Sequence, residues 1–121
     1  MEKEFIPMDL ALKLKALGFD EPCFGFYSTI YDLIIGRTNG KKSLFDSECL
    51  APTFSQAFRW FREKYGLKFY IRQDIWNHWC SIIMISKDGE YVSIGEYKTY
   101  EEAELTCLTK LIEIVENEKT L

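Results

Sequence analysis

One histidine, three prolines and seven glycines in 121 residues narrow the field at once. With His78 alone, a His–His metal site or a two-histidine proton relay within the chain is impossible. Few prolines and glycines beside nine Phe, seven Tyr and three Trp exclude a long disordered chain, because so much aromatic surface demands burial. The glycines are scattered, and Asn39-Gly-Lys-Lys lacks the strand and helix that a phosphate loop requires. Cys23, Cys49, Cys80 and Cys107 lie 26 to 31 positions apart, so the close pairs of a zinc ribbon are missing. They read as reduced, buried thiols that pack as small hydrophobes. No apolar run is long enough to span a bilayer, and Met1-Glu-Lys-Glu is followed by no apolar core of a secretion signal. A cytoplasmic location is expected. Basic excess is also lacking: net charge is −4 and pI about 5.1, which argues against a generic binder of nucleic acid or anionic membrane.

What is present is organised around Ala51–Leu67. Pro52 enters a helix, and Thr53 with Gln56 three residues on is a capping box, hydroxyl to amide and side-chain amide back to the cap. Gly66 stops the helix as a left-handed residue, with Leu67 folding back on the last turn. Phe54, Ala57, Phe58, Phe61 and Tyr65 recur every three or four residues, so one face is almost wholly aromatic. Such a helix is a core pillar.

The remaining elements fall on either side of it. Leu10, Ala11, Leu14 and Leu17 stripe a first helix from Pro7 or Met8 to Gly18. Cys23–Ile35 is aromatic and β-branched with a polar break, and reads as two short strands, although one long strand also fits. Residues 37–48 show little periodicity and are expected to form the loosest loop. Leu67–Ile75 alternates as a strand, Trp76–Ser86 is apolar on both faces as a central strand, and Glu90–Tyr97 returns after an Asp88-Gly89 turn. On the returning strand Val92 and Ile94 share one side and Tyr91 and Tyr97 the other. Thr99 with Glu102 caps a last helix, whose buried face collects Tyr100, Ala103, Cys107, Leu108, Leu111, Ile112 and Val115. The expected fold is a single α+β domain over 1–121, with 1–50 an N-terminal helix, strands and loop, and 51–121 a helix, three-stranded meander and helix. The element order is α-β(β)-α-β-β-β-α. The sheet is mainly antiparallel, with the central and C-terminal helices on one face.

Chemistry is sparse. A His78–Cys80 pair on one strand face is a conceivable activated thiol. Between Trp76 and Trp79, however, a packed, hydrogen-bonded histidine is the plainer reading. Glu101, Glu102 and Glu104 complement the positive end of the last helix rather than hold a divalent cation. No catalytic residue, cofactor or metal site is expected. Arg59, Arg62 and Lys64 lie on the outer arc of the central helix beside Trp60, a composition shared by interface hot spots and by solvated faces with a tryptophan tucked inward.

Two resemblances stand on quoted residues. Helix, three antiparallel strands and helix from Thr53 to Val115 resembles the topology of the double-stranded-RNA-binding domain. Its basic start to the last helix is replaced here by Tyr100-Glu-Glu-Ala-Glu104, so the resemblance implies the order of elements and not the RNA function. Leu17–Phe24, Ala51–Leu67 and Tyr100–Lys110 together are similar to a family of small phage and prophage proteins of uncharacterised function. That implies a cytoplasmic accessory protein that binds a host or phage component.

The expected function is therefore non-enzymatic protein binding, with Arg59, Trp60, Arg62, Tyr70, Arg72, Tyr91 and Tyr97 as the candidate interaction surface. Its expected partner is another protein, with neither membrane nor nucleic acid involved. One alternative is a nucleic-acid binder using Arg59, Arg62, Lys64, Lys68 and Arg72; another is a sequestering protein for a small molecule or nucleotide. Because the sheet's second face collects Tyr70, Tyr91 and Tyr97 beside an apolar central strand, it should be covered by residues 1–50 or by a second copy. A second copy is the expected cover, giving a homodimer that buries roughly 1,200–2,000 Å² in total.

Overall fold

The computed structural model describes residues 4–27, 33–35, 49–85 and 90–119, with 81–85, 90–93 and 118–119 described by backbone alone. Among these residues, three helices and two three-stranded antiparallel sheets make an α+β fold. They are grouped in two compact units, Met1–Ala57 and Phe58–Leu121, divided within the central helix.

In the first unit, α1 (Met8–Ala16) buries Leu10, Ala11 and Leu14. The helix ends where Gly18 N–H bonds to Lys15 C=O and Phe19 N–H to Leu14 C=O, and Phe19 is buried. The strands β1 (Gly25–Tyr27), β2 (Leu33–Ile35) and β3 (Cys49–Leu50) pair in the order β2-β1-β3. The two short strands expected in Cys23–Ile35 are there. β3 was not foreseen, because two residues are too few to show an alternation. Tyr27 Oη donates to the Ile6 carbonyl at 2.6 Å, and Ile6 N–H donates to the Pro52 carbonyl at 3.0 Å. These bonds tie the chain before α1 to β1 and to the start of the central helix. The expected loop over 37–48 and the Asp88-Gly89 turn lie outside the described residues.

The central helix, α2 (Phe54–Tyr65), starts at Thr53, whose Oγ1 accepts from Gln56 N–H at 3.2 Å. The expected box closes on one side only. The Gln56 side chain turns away from the cap and donates to the Pro22 carbonyl at 2.9 Å, a bond to a segment 34 residues earlier. At the other end Gly66 has φ +68, and Leu67 N–H reaches back to the Phe61 carbonyl. A residue with a Cβ is disfavoured at that backbone angle, so glycine sets the end of the helix.

In the second unit β4 (Lys68–Gln73), β5 (Trp79–Ile85) and β6 (Glu90–Tyr97) form a meander, and α3 (Tyr100–Lys119) packs on all three strands. Phe58 of α2 stacks on Phe69 with ring centroids 3.9 Å apart, so Phe69, Ile71 and Gln73 face the helices while Lys68, Tyr70 and Arg72 face away. Register places Gln73 opposite Trp79 and Trp79 opposite Tyr97; the Trp79 ring meets Tyr100 of α3 edge-on at 5.3 Å. Both helices therefore lie on the same face of this sheet. α3 is capped by Thr99, whose Oγ1 accepts from Glu102 N–H at 3.1 Å. Ala103, Cys107, Leu108, Leu111, Ile112 and Val115 are fully buried along it, whereas Tyr100 at its entrance is exposed.

Two features of the sheet differ from the expected pattern. Strand β5 starts at Trp79, three residues later than expected, because Asp74–His78 is a turn. On β6, Ser81 pairs with Gly95 but Ile82 with Ser93, so Ile94 is an inserted bulge residue. Beyond it the alternation is reversed, and Tyr97 joins the helix-facing row. Gly95 sits there at φ +150, where a Cβ would come within 3.1 Å of Tyr97 Oη.

Phe61→Ala should destabilise the protein by about 3 to 5 kcal/mol through lost burial and the cavity left, and Thr53→Ala by about 1 kcal/mol. Urea melts read both. A Phe61→Ala variant melting with the wild type contradicts this account of the α2 core.

Candidate functional site

The residues expected to form one interaction surface are not brought together. Arg59 and Arg62 are exposed on α2, but Trp60 between them is buried, with 6% of its surface accessible. Its ring packs edge-on against Phe61 and Tyr65, and the Lys64 ammonium lies 5.0 Å above it. Trp60 is thus a packed residue, not a surface anchor. Tyr70 and Arg72 are exposed on the opposite face of the sheet from α2. Tyr91 stands in register opposite Met84. Tyr97 is moved to the helix-facing row by the bulge at Ile94. The basic residues divide in the same way: Arg59, Arg62 and Lys64 belong to α2, Lys68 and Arg72 to the far face of β4. That far face carries Lys68, Arg72 and Glu96 as well as Tyr70, and so is more polar than its sequence suggested.

The structure concentrates unusual features elsewhere, at the turn between β4 and β5. Asp74 N–H donates to the His78 carbonyl at 2.9 Å, and Asn77 N–H to the Asp74 carbonyl at 3.2 Å. Asn77 has φ +63, a left-handed conformation that asparagine tolerates better than most residues. This is a three-residue hairpin loop, a type I turn followed by a left-handed residue. The Asp74 side chain locks it further: Oδ1 accepts from Trp76 N–H at 2.9 Å and from His78 N–H at 2.8 Å. With its backbone groups spent inside the loop, the turn holds Ile75 and Trp76 outward, 84% and 71% exposed.

A second cluster sits at the base of the same loop. His78 Nδ1 lies 3.7 Å from Asp74 Oδ2 and 3.5 Å from Glu96 Oε2 of β6. The His78 side chain is 47% exposed, so it is not the packed core histidine expected between two tryptophans. Asp74 Oδ2 is buried and has no hydrogen-bond partner among the described residues. The His78 N–H above all, with the Trp76 N–H and the charges on His78 and Arg72 behind it, holds the Asp74 carboxyl below its ordinary value of 3.8; partial desolvation opposes this. Asp74 is therefore a carboxylate through the neutral range. Sequence reasoning missed both the tip and the cluster. Asp74 and Asn77 were the available signal, turn-formers flanking two apolar residues that read as strand.

Three of the four cysteines are separate from this site; Cys80, half-buried, stands in register opposite Glu96. Cys23, Cys49 and Cys107 are buried, and burial, aided by the charge of Glu21 on the first and Glu104 on the last, pushes the Cys23 and Cys107 thiols up to about 12. They are thiols, not thiolates, at neutral pH.

A carboxyl held below its ordinary value lends its stabilisation in full above that value and loses it as the pH falls through the lower folded one. The amide resonances of Trp76 and His78 should therefore move together on acidification, with a common midpoint below 3.8. A midpoint above 3.8 contradicts the pair of hydrogen bonds that Asp74 Oδ1 accepts.

No family model, no curated protein and no solved structure matches this chain, so its function is argued from the geometry of this turn and its surroundings.

Proposed function

We propose that the chain is a non-enzymatic protein-binding module whose docking element is the tip of the β4–β5 hairpin. The observation that carries this reading is the exposure of Ile75 and Trp76 side by side on a loop whose own hydrogen bonds hold it in shape. Single exposed apolar residues are ordinary, but an adjacent isoleucine and tryptophan held clear of the fold form an anchor of the kind that dominates interfaces. A loop already in its bound shape also loses little entropy on docking.

The partner's chemistry follows from the surroundings. A protein cleft with an apolar floor takes Ile75 and Trp76, and acidic groups on its rim meet Arg72 and Lys68 on the exposed face of β4. An anionic membrane or a nucleic acid suits the site less well, since Asp74 and Glu96 stand directly behind the tip. Among the described residues no helix is long and apolar enough to cross a membrane. Ile34 and Ile35 of the first unit are also exposed, but their short strand is flanked on both sides by residues outside the described set. A role as an accessory protein of phage or mobile-element type, in the cytoplasm, rests on the three sequence blocks alone. Homodimerisation is retained as one form of the protein-binding reading, with a second copy as the partner.

Ile75→Ser and Trp76→Ser should leave stability within about 0.5 kcal/mol of wild type, since neither side chain is buried. Affinity capture from the native cell lysate, after nuclease treatment, should recover a protein with wild type and lose it with both variants. Light scattering behind a sizing column separates a partner protein from a second copy. A captured protein retained equally by both variants overturns the docking role of the tip. A tight complex with duplex RNA at about 50 mM salt overturns the charge argument.

A further inference from the structure

We infer that Asp74, His78 and Glu96 form a binding site for a divalent transition-metal ion of the zinc type, at the base of the β4–β5 hairpin. This goes beyond the docking reading and does not depend on it. One donor atom from each of the three side chains lies within 4.8 Å of the other two. The ligand set is one imidazole nitrogen and two carboxylate oxygens, contributed by the two ends of one turn and by the neighbouring strand.

The distances favour a metal over a proton. His78 Nδ1 is 3.7 Å from Asp74 Oδ2 and 3.5 Å from Glu96 Oε2, both too long for an N–H···O hydrogen bond. Two ligands each about 2.0–2.2 Å from one tetrahedral zinc are themselves roughly 3.3–3.6 Å apart. Both histidine–carboxylate edges lie in or near that range, and Glu96, 63% exposed, is free to turn and shorten the third.

A second observation points the same way. The two oxygens of Asp74 are unequally provided for: Oδ1 accepts two backbone N–H groups, while buried Oδ2 has no hydrogen-bond donor among the described residues and lies on the imidazole side. Burying a carboxylate oxygen without a donor is costly unless a positive group meets it. A cation between Oδ2 and Nδ1 supplies that group. The backbone bonds to Oδ1 meanwhile fix the direction of Oδ2, as outer hydrogen bonds orient ligands in metal sites generally. The nitrogen donor and the three-ligand count select a zinc-like ion over magnesium or calcium, which need more oxygens. Two of the three side chains are substantially exposed, so the ion should exchange with solvent rather than remain as a structural centre.

The chelator-treated 121-residue chain titrated with zinc chloride near pH 7 provides the test, followed by calorimetry and by the imidazole resonances of His78, its only histidine. One-to-one saturable binding is expected, with those resonances perturbed at saturation and unmoved by the same concentration of magnesium. Asp74→Asn keeps an acceptor for the loop N–H groups and should weaken binding by at least about tenfold. Glu96→Gln, which leaves the loop untouched, should do the same, since loss of a ligand costs no less than loss of an outer hydrogen bond. Cys80→Ser should change nothing. The inference is overturned by an absence of saturable binding up to about 1 mM zinc, the weakest affinity worth the name. It is equally overturned if Glu96→Gln binds as wild type does, or if Cys80→Ser alone abolishes binding.

Discussion

The direction in which Phe69 points decides most of the second unit. Its ring stacks on Phe58 of α2, and because side chains alternate along a strand, that one contact commits Ile71 and Gln73 to the helices and Lys68, Tyr70 and Arg72 to the other side. Pairing then carries the choice across the sheet. Gln73 stands opposite Trp79, and Trp79 meets Tyr100 of α3, so the second helix is drawn to the same face. The bulge at Ile94 acts within this constraint. It reverses the alternation late in β6, bringing Tyr97 inward and leaving Glu96 in register with Cys80 on the outer face. Without that reversal Glu96 would not stand beside His78.

At the β4–β5 end of the sheet the controlling group is a single carboxylate. Asp74 closes the hairpin through its backbone and braces it through Oδ1, while Oδ2 is left facing His78. One residue thus links two properties, an apolar tip held in a fixed shape and a polar cluster at its base. The tip has the chemistry of a hot spot and the cluster that of a ligand set, and they are separable because they use different atoms of Asp74. Both lie within the second unit, as does the aromatic packing that supports them.

Much of the architecture was legible because its signals are local. Thr53, Gly66 and Thr99 mark helix ends by backbone chemistry, and the aromatic spacing of α2 and the apolar spacing of α3 show which faces are buried. The strand β6 was read to its ends. What escaped depended on longer-range pairing or on residues whose sequence neighbours suggest a different setting. Ile75 and Trp76 look like strand residues, and only the bracketing Asp74 and Asn77 reveal the turn. β3 exists because β1 offers it a partner. The bulge at Ile94 is a matter of register, invisible along one strand. Trp60 sits among charged neighbours in the sequence yet is buried. The Asp74–His78–Glu96 cluster joins residues up to 22 positions apart through a sheet pairing that no local pattern encodes.

Asp74 holds the loop bearing Ile75 and Trp76 in one shape. Backbone ¹⁵N relaxation of the amides from Ile75 to His78 measures that directly. Order parameters of about 0.85, equal to those of β4 and β5, are expected for a braced hairpin, whereas values under about 0.6 would show a flexible loop and contradict the account.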